Sequence, residues 1–150
     1  MSGNKLIPEK IQILNFKIIK GKIESPFEFD TEKVTGHNFN VDFETAFNVE
    51  DKLVKADFKV SVETLSEEKN ILEAKGEFHF VFIFNVENME DLVKTTHHNK
   101  TPKITIHGSL GNALASICYS TSRGILMTRF QGTSLDSFIL PVINPNDLLE

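Results

Sequence analysis

Period-two alternation of apolar and polar residues dominates the first half of the chain. In NFNVDFETAFNVED, residues 38–51, Phe39, Val41, Phe43, Thr45, Phe47 and Val49 share one face, and Asn40, Asp42, Glu44, Ala46 and Asn48 share the other. In LVKADFKVSVETL, residues 53–65, Val54, Ala56, Phe58, Val60 and Val62 alternate with Lys55, Asp57, Lys59, Ser61 and Glu63. Successive side chains of a β-strand point to opposite faces, so both segments are predicted strands with one buried side. Glu50, Asp51 and Lys52 mark the turn between them, which predicts a hairpin. SEEKN, residues 66–70, is the next turn, and a third strand starts near Ile71. Within it, GEFHFVFIFN places Phe78, Phe80, Phe82 and Phe84 opposite His79, Val81, Ile83 and Asn85. One side of that strand is a row of rings about 20 Å long. An earlier strand is predicted over Ile11–Ile23, with a bulge near Asn15 where the alternation breaks. SPFEFD, residues 25–30, contains a proline and reads as edge or loop. The first nine residues are polar and are expected to be loose.

The period then changes. Residues 85–102 form a long polar connection, of the length that is often functional or mobile. Leu110, Ala113, Leu114, Ile117, Thr121 and Ile125 recur at intervals of three or four, which predicts a helix from about Lys103 or Ser109 to Arg129. Gly108, Gly111 and Gly124 weaken it by about 1 kcal/mol each where interior, and Gly132 is a candidate terminator. FILPVINPNDLLE is an extended apolar stretch, after which Pro145 opens a short final helix. The resulting expectation is one α+β domain over residues 1–150: a four-stranded antiparallel sheet with a long C-terminal helix and a short final helix on one face. A helix is about 10–12 Å wide with its side chains, and strands are about 4.8 Å apart, so one helix leaves part of the apolar sheet uncovered. The remaining aromatic area must meet the final helix, another subunit or a ligand.

Composition changes this picture in two ways. Thirteen of the fourteen aromatic residues are Phe, with one Tyr and no Trp, so the rings bring burial area and almost no polar atoms. A net charge of −5 disfavours nucleic acid, which needs clustered Lys and Arg. Cys118 is the only cysteine, which excludes an internal disulfide and fits a reducing compartment. MSGNKLIPEK lacks the apolar run of a signal peptide, and no stretch approaches the ~20 apolar residues of a membrane span. The cytoplasm is the expected location, without direct membrane insertion.

No catalytic pattern emerges. His97 and His98 sit in polar sequence with His107 nine residues on, but no cysteine accompanies them, and solvated histidines explain them better than zinc. His79 is expected to be a half-buried sheet residue. Cys118 lies between Ile117 and Tyr119 on the predicted helix, where a free cysteine behaves as a small hydrophobe. Ser120, Thr121, Ser122 and Arg123 lack the glycine-rich loop of a phosphate site. The expectation is a non-enzyme without cofactor or metal.

The chain resembles the SecB family of export chaperones from about Ile11 to Leu149. IQILNFKIIKGKIESPFEF is similar to the family's first strand and turn, with Glu24 and Pro26 in place. LGNALASICYSTSRGILMTRFQGTSLDSFILPVINPNDLL resembles its long helix, the turn at Gly132-Thr133, the crossover ending in Pro141-Val142 and the final helix. The resemblance implies an ATP-independent holdase that assembles as a dimer of dimers and binds unfolded preproteins in apolar grooves. It passes them to the motor ATPase of the translocase. It implies groove residues Phe39, Val41, Phe43, Phe78, Phe80, Phe138, Ile139 and Leu140, and motor contacts Glu24, Ile71 and Glu73. Lys20 stands where the family has an acid, Ala115 and Ser116 replace a proline and an aromatic residue, and the chain stops at Glu150 without an acid-rich tail. A SecB-like chaperone for another client, such as an antitoxin, is a variant of this reading. A small hydrophobic-ligand carrier with the helix over a curved sheet, and a subunit whose Phe surface is consumed in an obligate oligomer, are the alternatives.

Overall fold

The computed structural model describes residues 6–98 and 100–149, for His98 the backbone alone. Residues 1–5 of the segment expected to be loose, and the terminal Glu150, lie outside the described residues; Pro8–Lys10 is a single 3-10 turn. Four long strands follow the alternation: β1 (Ile11–Glu24), β2 (Gly36–Asn48), β3 (Leu53–Leu65) and β4 (Ile71–Val86). They form one antiparallel sheet in the order β1-β4-β3-β2, so β1 and β2 are its edges. β2–β3–β4 is the predicted meander. Its turns close through Lys52 and Lys69, both in the left-handed region (φ 58° and 61°), with Lys69 N–H donating to Ser66 O at 2.8 Å. β1 carries two register shifts against β4, one at Ile13/Asn15 as the sequence predicts and a second at Ile18/Lys20. Each inserts a residue, and the extra residues Leu14 and Ile19 are left exposed on the sheet edge.

The expected polar connection over residues 85–102 is not a loop: Asn85 and Val86 end β4, and structured elements follow as far as Ile106. These are a short helix, α1 (Met89–Leu92), and a hairpin of β5 (Val93–His98) and β6 (Thr101–Ile106) in a separate two-stranded sheet. Met89, Leu92 and Val93 are buried, so the segment adds to the core what a polar reading of its sequence leaves out.

α2 runs from Gly108 to Arg129, the later of the two predicted starts, with His107 as its N-cap. Its buried stripe is Leu110, Leu114, Ala115, Cys118, Tyr119, Ser122 and Leu126. The expected stripe is therefore rotated: Ile117 and Ile125 are half-buried and Thr121 is exposed. The chain then turns at Gly132 (φ 75°), crosses back over the sheet, and ends in a 3-10 helix, Pro145–Leu149, on the first turns of α2.

The core lies between the sheet and these covering segments. β3 presents Val54, Ala56, Phe58, Val60 and Val62, and β4 presents Phe78, Phe80, Phe82, Phe84 and Val86, all buried. Phe58 stacks against Phe80 at 6.5 Å, and the Tyr119 ring meets Phe58 edge-on at 5.9 Å. These rings fill the space between α2 and the sheet, which the ligand-carrier reading needs to be hollow. Gly76 lets the crossover approach β4, because a Cβ there would lie 3.0 Å from the Phe130 ring and 3.1 Å from Leu135.

Candidate functional site

Accessibility is graded across the apolar face of the sheet. The rows of β4 and β3 are sealed, whereas on β2 Val41, Phe43 and Phe47 are half-buried and Phe39 is 36% exposed. Edge position is the cause. The covering layer converges on the two central strands, and β2 has a neighbour on one side only. Among the described residues its outer backbone edge has no strand beside it, so extended chain can add there while apolar side chains wait on the inner face.

The crossover forms the opposite wall. Three bonds fix it: Tyr119 Oη donates to Pro141 O at 2.6 Å, Arg123 Nε donates to Leu140 O at 2.9 Å, and Ser134 N–H donates to Ser25 Oγ at 2.9 Å. Leu135, Phe138 and Leu140 therefore point inward, while Ile139 is 49% exposed and Val142 is more exposed still. The Phe138 ring lies 5.6 Å from Phe39, 5.2 Å from His37 and 6.2 Å from Phe130, so the crossover and β2 meet through an aromatic cluster.

Of the eight groove residues expected from sequence, Phe39, Val41, Phe43 and Ile139 border this open strip. Phe138 and Leu140 form its floor with almost no exposed surface. Phe78 and Phe80, implied as groove residues by the resemblance, are instead enclosed, 4% and 0% exposed, and belong to the core. The reason is the cover provided by Phe130, Leu135, Met89 and Leu92 in addition to α2. His37 and Val142 belong to the strip and were missed. Phe27, next to Pro26, is fully exposed and was also missed. An isolated apolar residue in a loop carries no periodicity by which to find it.

His37 has an unusual setting. Its Nε2 is buried without a hydrogen-bond partner among the described residues, and desolvation lowers its pKa from the ordinary value. Folding thus favours the neutral ring. The stability this contributes is present above the unfolded pKa of about 6.5 and is lost as pH falls through the lowered folded value. Urea unfolding at stepped pH should show wild type losing more stability between about pH 7 and 5 than His37→Phe, and equal slopes would contradict this.

Glu24, Ile71 and Glu73, distant in sequence, come together with Pro26, Leu72 and Lys75 around a shallow depression of about 390 Å³ at the far end of the sheet. Ile71 is exposed, and Lys22 holds the Glu24 carboxyl below its usual range through a 2.9 Å ion pair. On the outer sheet face, His79 Nε2 is 2.7 Å from Asp57 Oδ1. Val81 and Ile83 beside it are half-buried, so this face is partly apolar.

The remaining candidates have structural roles. Cys118 is fully buried in the core, and desolvation pushes its thiol up to about 12, out of the range of a thiolate nucleophile at neutral pH. His107 caps α2 by accepting from Ser109 N–H at 3.2 Å, His97 lies on β5, and the side chain of His98 is outside the described residues. Among the described residues no group of three or more His, Cys, Asp or Glu is placed to hold a metal ion. Ser122 is buried and Arg123 serves the crossover, so Ser120–Arg123 is helix and not a phosphate loop. No described helix is long and apolar enough to cross a membrane.

The sheet order β1-β4-β3-β2, the long helix on one face and the crossover to a short final helix make this a SecB-like α+β fold. The structure is similar to that of the Rv1957 SecB-like chaperone of Mycobacterium tuberculosis, solved in complex with a ChAD peptide from the Rv1956 HigA1 antitoxin. The TM-score is 0.57 at 11% sequence identity, covering 91% of this chain and 92% of that chain. No protein-family model matches the sequence, and no curated protein matches it.

Proposed function

We propose that this chain is an ATP-independent holdase that binds extended apolar segments of non-native polypeptides along β2 and the crossover. One observation carries the reading: the half-open row Phe39, Val41 and Phe43 lies beside a free backbone edge and Ile139, in a SecB-like fold. A free edge supplies main-chain hydrogen bonds that ignore sequence, and the apolar row supplies burial at about 25 cal/mol per Å2. Together they suit a binder with little side-chain specificity. That the structural neighbour was solved with an antitoxin peptide supports peptide binding as the role and makes an antitoxin as reasonable a client as an unfolded preprotein.

The reading includes a cytoplasmic homotetramer. Ile13, Leu14 and Ile19 are exposed on edge strand β1, and Phe16 and Ile18 border an open groove with Thr121, Gly124, Ile125 and Thr128 of α2. This second apolar edge is the surface proposed for contact between copies. The depression around Glu24, Ile71 and Glu73 is the surface proposed for a translocase motor.

The test is suppression of aggregation of a chemically unfolded client at several-fold excess, with mass measured by light scattering. Protection by a particle of about four copies is expected. Absence of protection overturns the holdase, and a one-copy mass overturns the assembly.

A further inference from the structure

The β5–β6 hairpin is cationic on an acidic protein. Between Asp91 and Asp136 the sequence contains no Asp or Glu, although the whole chain carries −5. Lys94, Lys100 and Lys103 all fall on the hairpin, exposed, and among the described residues none has a carboxylate within ion-pair distance.

Register sorts the hairpin into two unlike faces. Lys94 pairs with Thr105 and Lys103 with Thr96, so both lysines lie on one face. Val93 pairs with Ile106 and Thr95 with Ile104, which sets these residues on the other. Ile104 is exposed there. Ile106 continues this apolar face into a cleft of about 280 Å³ shared with Phe47, Leu114 and Leu149. Lys100 occupies the tip in the left-handed conformation. Among the described residues the hairpin is a two-stranded sheet of its own, so each strand has a free edge. Two-stranded ribbons are marginally stable in water, and a third strand is the usual remedy.

We propose that this hairpin accepts an extended client segment in which apolar residues alternate with Asp or Glu, added as a third strand. In such a strand the apolar residues fall on the Ile104–Ile106 face and the carboxylates on the Lys94–Lys103 face. The inference rests on the holdase reading and gives it a charge preference. Continuity with the Phe47 cleft favours a polypeptide over a nucleic acid, which needs more phosphate contacts than three lysines supply and would be repelled by the rest of the chain.

The experiment uses the full chain and three labelled peptides with one alternating apolar core and Glu, Ser or Lys between. At low salt the Glu peptide is expected to bind roughly three- to tenfold more tightly than the Ser peptide, and the Lys peptide more weakly. The preference should vanish near ~0.5 M salt. The Lys94→Gln, Lys100→Gln, Lys103→Gln triple variant should level the three affinities, and the corresponding Glu variant should invert their order. The Ser peptide should bind every variant alike.

Equal affinities in wild type, or an order that survives the triple variants, overturns the preference and leaves the holdase standing. Failure to bind any peptide overturns both. Tighter binding of single-stranded DNA or phosphatidylserine vesicles than of the Glu peptide overturns the choice of partner. A triple variant that changes the mass of the assembly instead assigns the hairpin to contacts between copies and overturns the proposal.

Discussion

Phe80→Ala is expected to lower the stability of this protein by about 3–5 kcal/mol, the usual cost of deleting a fully buried ring. Phe80 is central to the aromatic core. Its ring centroid lies 5.6 Å from Phe78, 5.7 Å from Phe16 and 6.5 Å from Phe58, and the side chain has no exposed surface. Backbone pairing on both sides, to Ile18 and to Phe58, keeps the sheet from collapsing into the space. The cavity therefore stays open, and its lining loses dispersion contacts as well as transfer free energy. Such a loss is a large share of the 5–15 kcal/mol typical of a domain. Urea titration followed by circular dichroism should show the midpoint fall with the slope retained. A change below about 1 kcal/mol would mean that the Phe row is not the core.

Phe39→Asp combined with Ile139→Asp is expected to do the reverse, leaving the fold and removing the binding. Both side chains are already partly in water, so in the free chain their carboxylates stay hydrated; losing the Phe39–Phe138 contact costs some stability, but well below the cost of Phe80→Ala. A bound apolar segment would have to desolvate them. The exposed parts of the two side chains supply roughly 1–2 kcal/mol each when covered, and the charges add their own penalty. Client affinity should drop roughly 30-fold or more, with protection against aggregation lost at equal concentration. An unfolding curve close to wild type together with undiminished protection would place the client elsewhere. The two variants separate the residues that build the sheet from those that the sheet leaves available.

The crossover connects them. Tyr119 and Arg123 of α2 hold Pro141 O and Leu140 O, so the outward direction of Ile139 depends on the helix beneath it. The Phe39–Phe138 contact couples the β2 edge to the same segment. A client on this strip therefore touches a surface that is positioned by the core without being part of it.

The four long strands, the β2–β3–β4 meander, the bulge near Asn15, the long helix and the final Pro145 turn were legible in the chain, because each leaves a periodic or punctuating signal that depends on neighbours in sequence. The hairpin at Val93–Ile106 was not legible. Its strands mix Lys, Thr and His with few apolar residues, and two-stranded pairing in an exposed ribbon demands no buried face. The rotation of the buried stripe on α2 was hidden for a related reason. The helix carries apolar residues beyond its buried stripe, and Thr121 and Ile125 lie toward β1.

The candidate site divides in the same way. Alternation by itself determined which phenylalanines share a face, and so assigned Phe39, Val41 and Phe43 to one row and Phe78 to Phe84 to another. It was silent on which row is open, since both have the same period and the same residue type. Only the tertiary structure decided that. Strand order put β4 in the interior of the sheet and β2 at its edge, and the layer formed by α2, α1 and the crossover had area enough to seal the inside strands but not the outermost one.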